Sequence, residues 1–168
     1  MLNFVYEPEK WEEVYKQEKI NLQFILGDLK VLVEHIGATS MPACHTSKNL
    51  DILISVNDLI DLPTIQNLLV NREYRVVPQY SEDDCVVLVK KTKVLGMGIT
   101  LRIMQYASQK YNEYKAFRTY LLEDRDRIRA YNRFRQELLR KCGKDFETYR
   151  LTKKSYMDGI VKENFRFE

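Results

Sequence analysis

Residues 50–56 are the segment of this 168-residue chain that most restricts its fold. They are apolar except for Asp51 and Ser55, a composition that predicts a buried β-strand. Because side chains alternate between the two faces of a strand, Asp51 shares a face with Leu53 and Ser55, and the opposite face is wholly apolar. A buried carboxylate costs free energy unless it is paired, so the strand predicts a cation, a metal ion or hydrogen-bond donors beside Asp51.

The rest of the chain predicts an α+β fold with a small mixed sheet. A first helix is expected to begin at Pro8 and to stop at Gly27, since proline is tolerated in a first helical turn. Four more strands are predicted at residues 31–36, 74–77, 85–90 and 99–105, and four more helices at 61–71, with Asp61 as cap, 109–122, 124–142 and 145–165. We expect residues 1–106 to form an α/β core and residues 107–168 a helical part packed on it as one compact unit.

The turn after the first strand is the second informative feature. Gly37 lets the backbone turn sharply, Thr39 and Ser40 are good helix caps, and Pro42 suits a first helical turn. These residues predict a helix start, where free backbone N–H groups and hydroxyl donors suit a phosphate. The alternative, which this turn alone leaves open, is an ordinary capped strand-to-helix connection.

Several separated motifs resemble the GrpB family of nucleotidyltransferase-like proteins, in the same order over nearly the whole chain. They are YEP at residues 6–8 with Trp11, EHIGATSMP at 34–42, KNLDI at 48–52, FRTYL at 117–121, and Tyr149 with Lys153 and Ser155. Ala38, Asn49 and Thr119 stand where the family usually has serine, proline and an acid. The resemblance implies a nucleotidyltransferase-like fold: a small mixed sheet flanked by helices, with a helical C-terminal third. In active members of that superfamily a Gly-Ser turn holds a triphosphate, and three acids on two strands hold magnesium.

The sequence has only the first of the three acids that such a metal site requires. Asp51 is the one candidate catalytic residue and the one candidate metal ligand, because Leu53 occupies the second acidic position. The later strand has Thr100-Leu101-Arg102, where the family usually has His-Leu-His. Since Arg102 has the strand parity of a residue on the Asp51 face, we expect its guanidinium to pair with Asp51 in place of a metal.

Other residues are candidate phosphate ligands beside Gly37, Thr39, Ser40 and Arg102. His35 and Lys48 flank the turn and the strand, and Arg118 and Lys153 are expected to form a basic wall of the cleft between sheet and helices. Each has a structural alternative: a satisfied histidine, a solvated loop lysine, or a basic side chain that snorkels or pairs with an acid. The six arginines of residues 124–141 are expected to form mainly a solvated face.

Composition excludes some classes of function but does not select one. The net charge of +3 permits an anionic ligand without demanding nucleic acid, and no apolar run approaches the ~20 residues of a membrane span. With three scattered cysteines and no secretory pattern at the start, the expected location is the cytoplasm. Three hypotheses stay open: a site with an incomplete metal set that binds a nucleotide or phosphorylated small molecule, a nucleotidyl- or phosphoryl-transferring enzyme acting on a small acceptor, and an interaction protein that uses its basic C-terminal helices.

Overall fold

A computed structural model of the protein describes residues 8–91 and 97–167. Its strands are β1 (Val31–Ile36), β2 (Asn49–Val56), β3 (Arg75–Val76), β4 (Cys85–Lys91) and β5 (Gly98–Gln105). Its α-helices are α1 (Pro8–Leu26), α2 (Leu62–Val70), α3 (Gln109–Leu122), α4 (Arg125–Cys142) and α5 (Phe146–Asn164). The α+β class and the ten strands and helices predicted by residue range are confirmed, with bounds shifted by at most one residue. The exception is the additional helix start predicted after Gly37.

The five strands form one mixed sheet in the order β1-β2-β5-β4-β3. β2 and β5 are parallel, and the other neighbouring pairs are antiparallel. The parallel pair sets Asp51 opposite Thr100 and Leu53 opposite Arg102. Asp51 and Arg102 therefore lie on the same face of the sheet, on neighbouring strands and offset by two residues along the strand.

The two faces of the sheet carry separate hydrophobic cores. On one face, Leu50, Ile52 and Ile54 of β2 pack with apolar residues of α1 and α2, including the buried Trp11. On the other face, Leu53 packs with residues that include Tyr111 of α3. A third cluster joins α3, α4 and α5 to the loop that follows β1. The Asp51 face of β2 is therefore the face that the C-terminal helices cover.

The helix ends follow their capping residues, with one correction. Asp124 and Asp145 each accept a backbone N–H at the start of α4 and α5, and Gly143 ends α4 with a φ of +58°. Asp61, predicted to cap α2, makes no such bond. The cap is Asp58, whose Oδ1 accepts the N–H of Ile60 at 3.0 Å, because a single 3₁₀ turn precedes α2. Within residues 8–91 and 97–167, no helix combines the length and apolarity needed to cross a bilayer.

Candidate functional site

Asp51 and Arg102 form an ion pair on the face of the sheet that the C-terminal helices cover. Nη1 of Arg102 donates to Oδ1 of Asp51 at 2.9 Å, and Nε of Arg102 donates to the hydroxyl of Tyr114 on α3 at 3.0 Å. Each side chain of the pair is about a quarter exposed. Burial acts to lower the pKa of Arg102, but Tyr114 and Asp51 outweigh it and leave that pKa above its ordinary value. The pairing predicted from strand parity is confirmed.

Gly37 lies directly against the Asp51 carboxylate. A Cβ atom at position 37 would come within 3.0 Å of Oδ2 and 3.1 Å of Cβ of Asp51. The backbone of Gly37, with φ +72° and ψ −168°, is also in a region that is essentially restricted to glycine. Glycine is therefore required here both by conformation and by the approach of Asp51.

The turn after Gly37 does not start an α-helix, contrary to the prediction. Residues Ala38–Ser40 form a single 3₁₀ turn, and Met41 is already extended. The reason is Pro42, because proline disfavours the α conformation in the residue before it. A phosphate site built on a helix N-terminus is therefore absent at this turn, and Thr39 and Ser40 do not cap a helix.

Ser40 instead connects the turn to α3. Its hydroxyl donates to the carbonyl of Gly37 at 2.8 Å and accepts from Nε of Arg118 at 3.1 Å. Nη2 of Arg118 also donates to the Ser40 carbonyl at 3.3 Å. Arg118 thus holds the turn whose glycine abuts Asp51, which places one more cation at this side of the carboxylate.

Lys153 of α5 lies within electrostatic range of Asp51 and Arg102. Its side chain is half-buried, and its Nζ makes no hydrogen bond or ion pair with any residue of the described ranges. Burial lowers the pKa of Lys153; the charge of Asp51 opposes that effect, and Arg102, Arg135 and Arg150 add to it. The amine therefore lies in a partly buried, predominantly cationic environment around one carboxylate.

Arg135 is the site residue that the sequence analysis placed wrongly. It was expected on a solvated face of α4, but it is 4% exposed. Its guanidinium donates to the carbonyl of His45 and to Oδ1 of Asn132, which in turn accepts the N–H of His45 at 2.9 Å. The spacing of Asn132 and Arg135 within the inward stripe of α4 was the available signal. We call Asp51, Arg102, Arg118, Arg135 and Lys153 the Asp51 cluster.

His35 and Thr39 meet on the other side of the sheet. His35 has the parity of the core-facing residues of β1, stacks on Tyr15 with ring centroids 4.5 Å apart, and shares a 2.8 Å hydrogen bond with Thr39 Oγ1. Burial lowers the pKa of His35 to about 4, so the ring is neutral at pH 7. Both residues have partners within the protein. This agrees with the alternative for His35, a histidine whose hydrogen bonds serve the fold.

Lys48 lies on the exposed loop before β2, where its carbonyl accepts the N–H of Gly98 at 2.9 Å. Two surface depressions, of about 450 and 360 Å³, are lined by other residues than the Asp51 cluster. The larger one includes Leu62 and Val86, which belong to the opposite face of the sheet. The Asp51 cluster is thus distinguished by its charges rather than by a large cavity.

The residues around Asp51 do not fit a two-metal site. Such a site needs several carboxylates that bridge and neutralise the ions. Here Leu53 is fully buried at the second position, and Thr100 and Arg102 occupy the later strand. In the described residues, no group of three or more His, Cys, Asp or Glu side chains is placed to hold a metal ion. Oδ1 of Asp51 is already engaged by a guanidinium.

Comparison with known proteins supports the family resemblance. Tyr6 and Glu7 of the first motif lie outside the described residues. The family model described as GrpB protein matches residues 3–163. The Glutamate-rich protein GrpB of Alkalihalophilus pseudofirmus is 26% identical over 162 residues, which are 95% of this chain and 93% of that protein. A UPF0157 protein of Streptomyces coelicolor is 24% identical over 83% of this chain and 72% of its own length.

A solved structure resembles the whole chain. The crystal structure of the conserved protein GrpB from Enterococcus faecalis superposes with a TM-score of 0.81, covering 97% of this chain and 96% of that one, at 23% sequence identity. The predicted nucleotidyltransferase-like α+β fold is therefore confirmed. The chain belongs to the GrpB family.

Proposed function

We propose that this protein binds the phosphate group of a nucleotide or another phosphorylated small molecule at the Asp51 cluster, without a pair of metal ions. The observation that carries the proposal is the excess of positive charge near Asp51. Arg102 is bonded to its carboxylate, Arg118 holds the turn that abuts it, and Lys153 lies in the field of Asp51, Arg102 and Arg135. One of them, Lys153, has no anionic partner within the described ranges. A cationic cluster of this kind is stabilised by an anion that brings its own negative charge.

The geometry supports an anion more than a transfer reaction. Arg102 and Arg118 each present a planar set of donors, and planar donor sets match the oxygens of a phosphate. Among the described residues, Asp51 and Tyr114 engage Nη1 and Nε of Arg102, and Nη2 donates to none of them. Asp51 is expected to orient Arg102 rather than to act as a base or metal ligand, because its Oδ1 accepts from that guanidinium.

The basic surface of α4 gives weaker support to the hypothesis that the C-terminal helices bind a partner protein. Arg127 is paired with Glu123 at 2.8 Å, Arg129 is paired with Asp126 at 2.7 Å, and Arg135 is buried. Acids of the same or the preceding turn therefore neutralise part of that face. We accordingly favour a small anionic ligand at the Asp51 cluster.

Thermal unfolding with inorganic phosphate, AMP, ATP and a sugar phosphate tests the proposal, each with magnesium and with EDTA. A ligand at one hundred times its Kd stabilises the fold by about 2.7 kcal/mol, which corresponds to roughly 5–11 °C for a chain of this size. We expect at least one anion to stabilise the protein equally in magnesium and in EDTA. Lys153→Met should abolish the shift, whereas Lys154→Met should keep it, since Lys154 is exposed and paired with Asp158 at 2.6 Å.

Asp51→Asn separates binding from catalysis. If Asp51 only orients Arg102, the neutral amide removes a competing negative charge, and phosphate binding persists or becomes tighter. A magnesium-dependent shift accompanied by consumption of ATP, and lost in Asp51→Asn, would instead establish a transferase. The absence of any shift, or a shift retained in Lys153→Met, would refute phosphate binding at this cluster.

A further inference from the structure

A buried hydroxyl without a partner lies near the far end of β2 from Asp51. Ser55 is 2% exposed, and its Oγ makes no hydrogen bond with any residue of the described ranges. Such a hydroxyl costs free energy, and native proteins give nearly all buried polar groups a partner. Ser55 also lines the smaller of the two surface depressions, of about 360 Å³. The missing partner of Ser55 is therefore a group that enters from this depression.

The strand register puts the Ser55 side chain on the face of the sheet where the depression lies. Ser55 is paired with Leu32 of β1 on one side and with Met104 of β5 on the other. Directly paired residues share a face, and so do residues two apart on one strand. The pairing continues past β5, because the N–H of Tyr106 donates to the carbonyl of Val56 at 2.7 Å. The lining residues with the parity of this face are Lys30, Leu32, Ser55, Asn57 and Tyr106.

The walls on either side of Ser55 are apolar and open to solvent. Tyr106, on the β5 side, is 52% exposed, and its ring packs on Tyr111 of α3 with centroids 5.1 Å apart. Leu32, on the β1 side, is 45% exposed. A planar ring between Tyr106 and Leu32 would remove apolar surface of both from water.

The polar part of the lining favours an anion. Lys30 is the only charged residue of the lining, and its amine makes no ion pair or hydrogen bond within residues 8–91 and 97–167. Asn57 adds a side-chain amide; its backbone carbonyl accepts Nε2 of Gln105 at 3.1 Å. A carboxylate at the rim would be attracted by Lys30 and could accept from the Asn57 amide.

We propose that this depression binds a small aromatic carboxylate. The ring lies between Tyr106 and Leu32, the carboxylate lies near Lys30, and a hydroxyl on the ring bonds to Oγ of Ser55. A volume of about 360 Å³ is at the lower end of small-molecule sites, which suits a single ring.

This site is distinct from the Asp51 cluster. Four residues of a strand separate Asp51 from Ser55, which is about 13 Å. Leu53 lies between them on the same face, fully buried and packed in one cluster with Tyr111 of α3. Binding in the depression therefore does not depend on phosphate binding at the Asp51 cluster.

Three probes separate the contributions of the ring, the charge and the hydroxyl. 4-Hydroxybenzoate has all three, benzoate lacks the hydroxyl, and 4-hydroxybenzyl alcohol lacks the charge. In amide NMR titrations of the full chain we expect saturable shifts at Leu32, Ser55, Asn57 and Tyr106. Because one hydrogen bond is at stake, 4-hydroxybenzoate should bind roughly two- to tenfold more tightly than benzoate.

Ser55→Ala tests the hydroxyl that carries the proposal. This variant should bind 4-hydroxybenzoate no more tightly than benzoate, and its affinity for benzoate should equal that of the wild type. It should fold, because the substitution removes only a hydroxyl that has no partner in the described residues. Lys30→Gln should weaken both carboxylates and leave 4-hydroxybenzyl alcohol unchanged, whereas Lys144→Gln, an exposed control on the loop before α5, should change none of them.

Three results would overturn the proposal. The first is the absence of saturable shifts at the depression with any of the probes. The second is a set of shifts confined to the surroundings of Arg102 and Ser40, which would place the anion at the Asp51 cluster instead. The third is an unchanged affinity of Ser55→Ala for 4-hydroxybenzoate, which would show that the buried hydroxyl does not contact the ligand.

Discussion

Replacement of Gly37 by alanine tests whether the turn and Asp51 are one structural unit. The backbone of Gly37, with φ +72° and ψ −168°, costs a residue with a side chain about 1–3 kcal/mol. The new Cβ would also lie 3.0 Å from Oδ2 of Asp51, so the carboxylate or the turn must shift. We expect Gly37→Ala to lower the free energy of unfolding by roughly 3 kcal/mol and the Tm by roughly 6–12 °C.

Gly27→Ala is the matched control for this substitution. Gly27 also has a positive φ, +55°, but a Cβ there would meet no atom within 4 Å. Its replacement should cost only the conformational part, roughly 1–2 kcal/mol, or about 2–8 °C in Tm. Urea titrations of both variants give the free energies directly. The difference between them contains the contact with Asp51 together with any difference in conformational cost, and the cycle below separates the two.

A double-mutant cycle isolates that contact. Asp51→Ala removes two of the three atoms that the new Cβ approaches, Oδ2 and Cγ, and keeps the Asp51 Cβ at 3.1 Å. In the Gly37→Ala background it should therefore cost less than in the wild type. We expect a coupling of at least about 1 kcal/mol, typical of residues in direct contact. Strictly additive effects, or equal losses in Gly37→Ala and Gly27→Ala, would refute the idea that Asp51 requires glycine at position 37.

Two further predictions concern pH and stability. Burial lowers the pKa of His35 in the folded state from its ordinary value of 6.5 to about 4, so stability is complete above pH 6.5 and is lost as the pH falls toward 4. The loss should be roughly 2 kcal/mol after allowance for partial exposure, and urea titrations at pH 7 and pH 4.5 should show it reduced in His35→Gln. Lys153→Met should raise the Tm without ligand, because burial disfavours the charged amine; a lower Tm would show that Lys153 stabilises the fold.

The sequence predicted the elements and the Asp51–Arg102 pair because both depend on local periodicity. Strand alternation groups Arg102 with Thr100, and the register that sets Thr100 opposite Asp51 puts Arg102 on the Asp51 face. The parallel pairing that makes them neighbours comes from the whole fold. The family resemblance, rather than periodicity, implied that the two strands contribute to one site. The partner Tyr114 was missed for the same reason, since only the packing of α3 on the sheet brings its hydroxyl to Arg102.

The errors arose where two local signals competed. At residues 37–42, the cap signal of Thr39 and Ser40 favoured a helix, but the restriction that Pro42 imposes on Met41 prevented it. In α4, the abundance of arginine suggested a solvated face, and the inward stripe at Arg135 was outweighed by composition. Arg135 is buried because the His45 carbonyl and Asn132 accept its hydrogen bonds, and those acceptors lie about 90 residues apart from it or on its own helix.

The arrangement of cations supports the proposal that the site binds an anion. Leu53, at the position where the family resemblance implies a second acid, is part of a buried apolar cluster. Arg102, by contrast, is held by two partners, and Lys153 is kept half-buried without an acid of its own in the described residues. An unpaired, partly buried cation costs stability. Selection keeps such a group where function uses it, in spite of that cost. A Lys153→Met variant that gains stability and loses phosphate binding would show that the charge serves the ligand and not the fold.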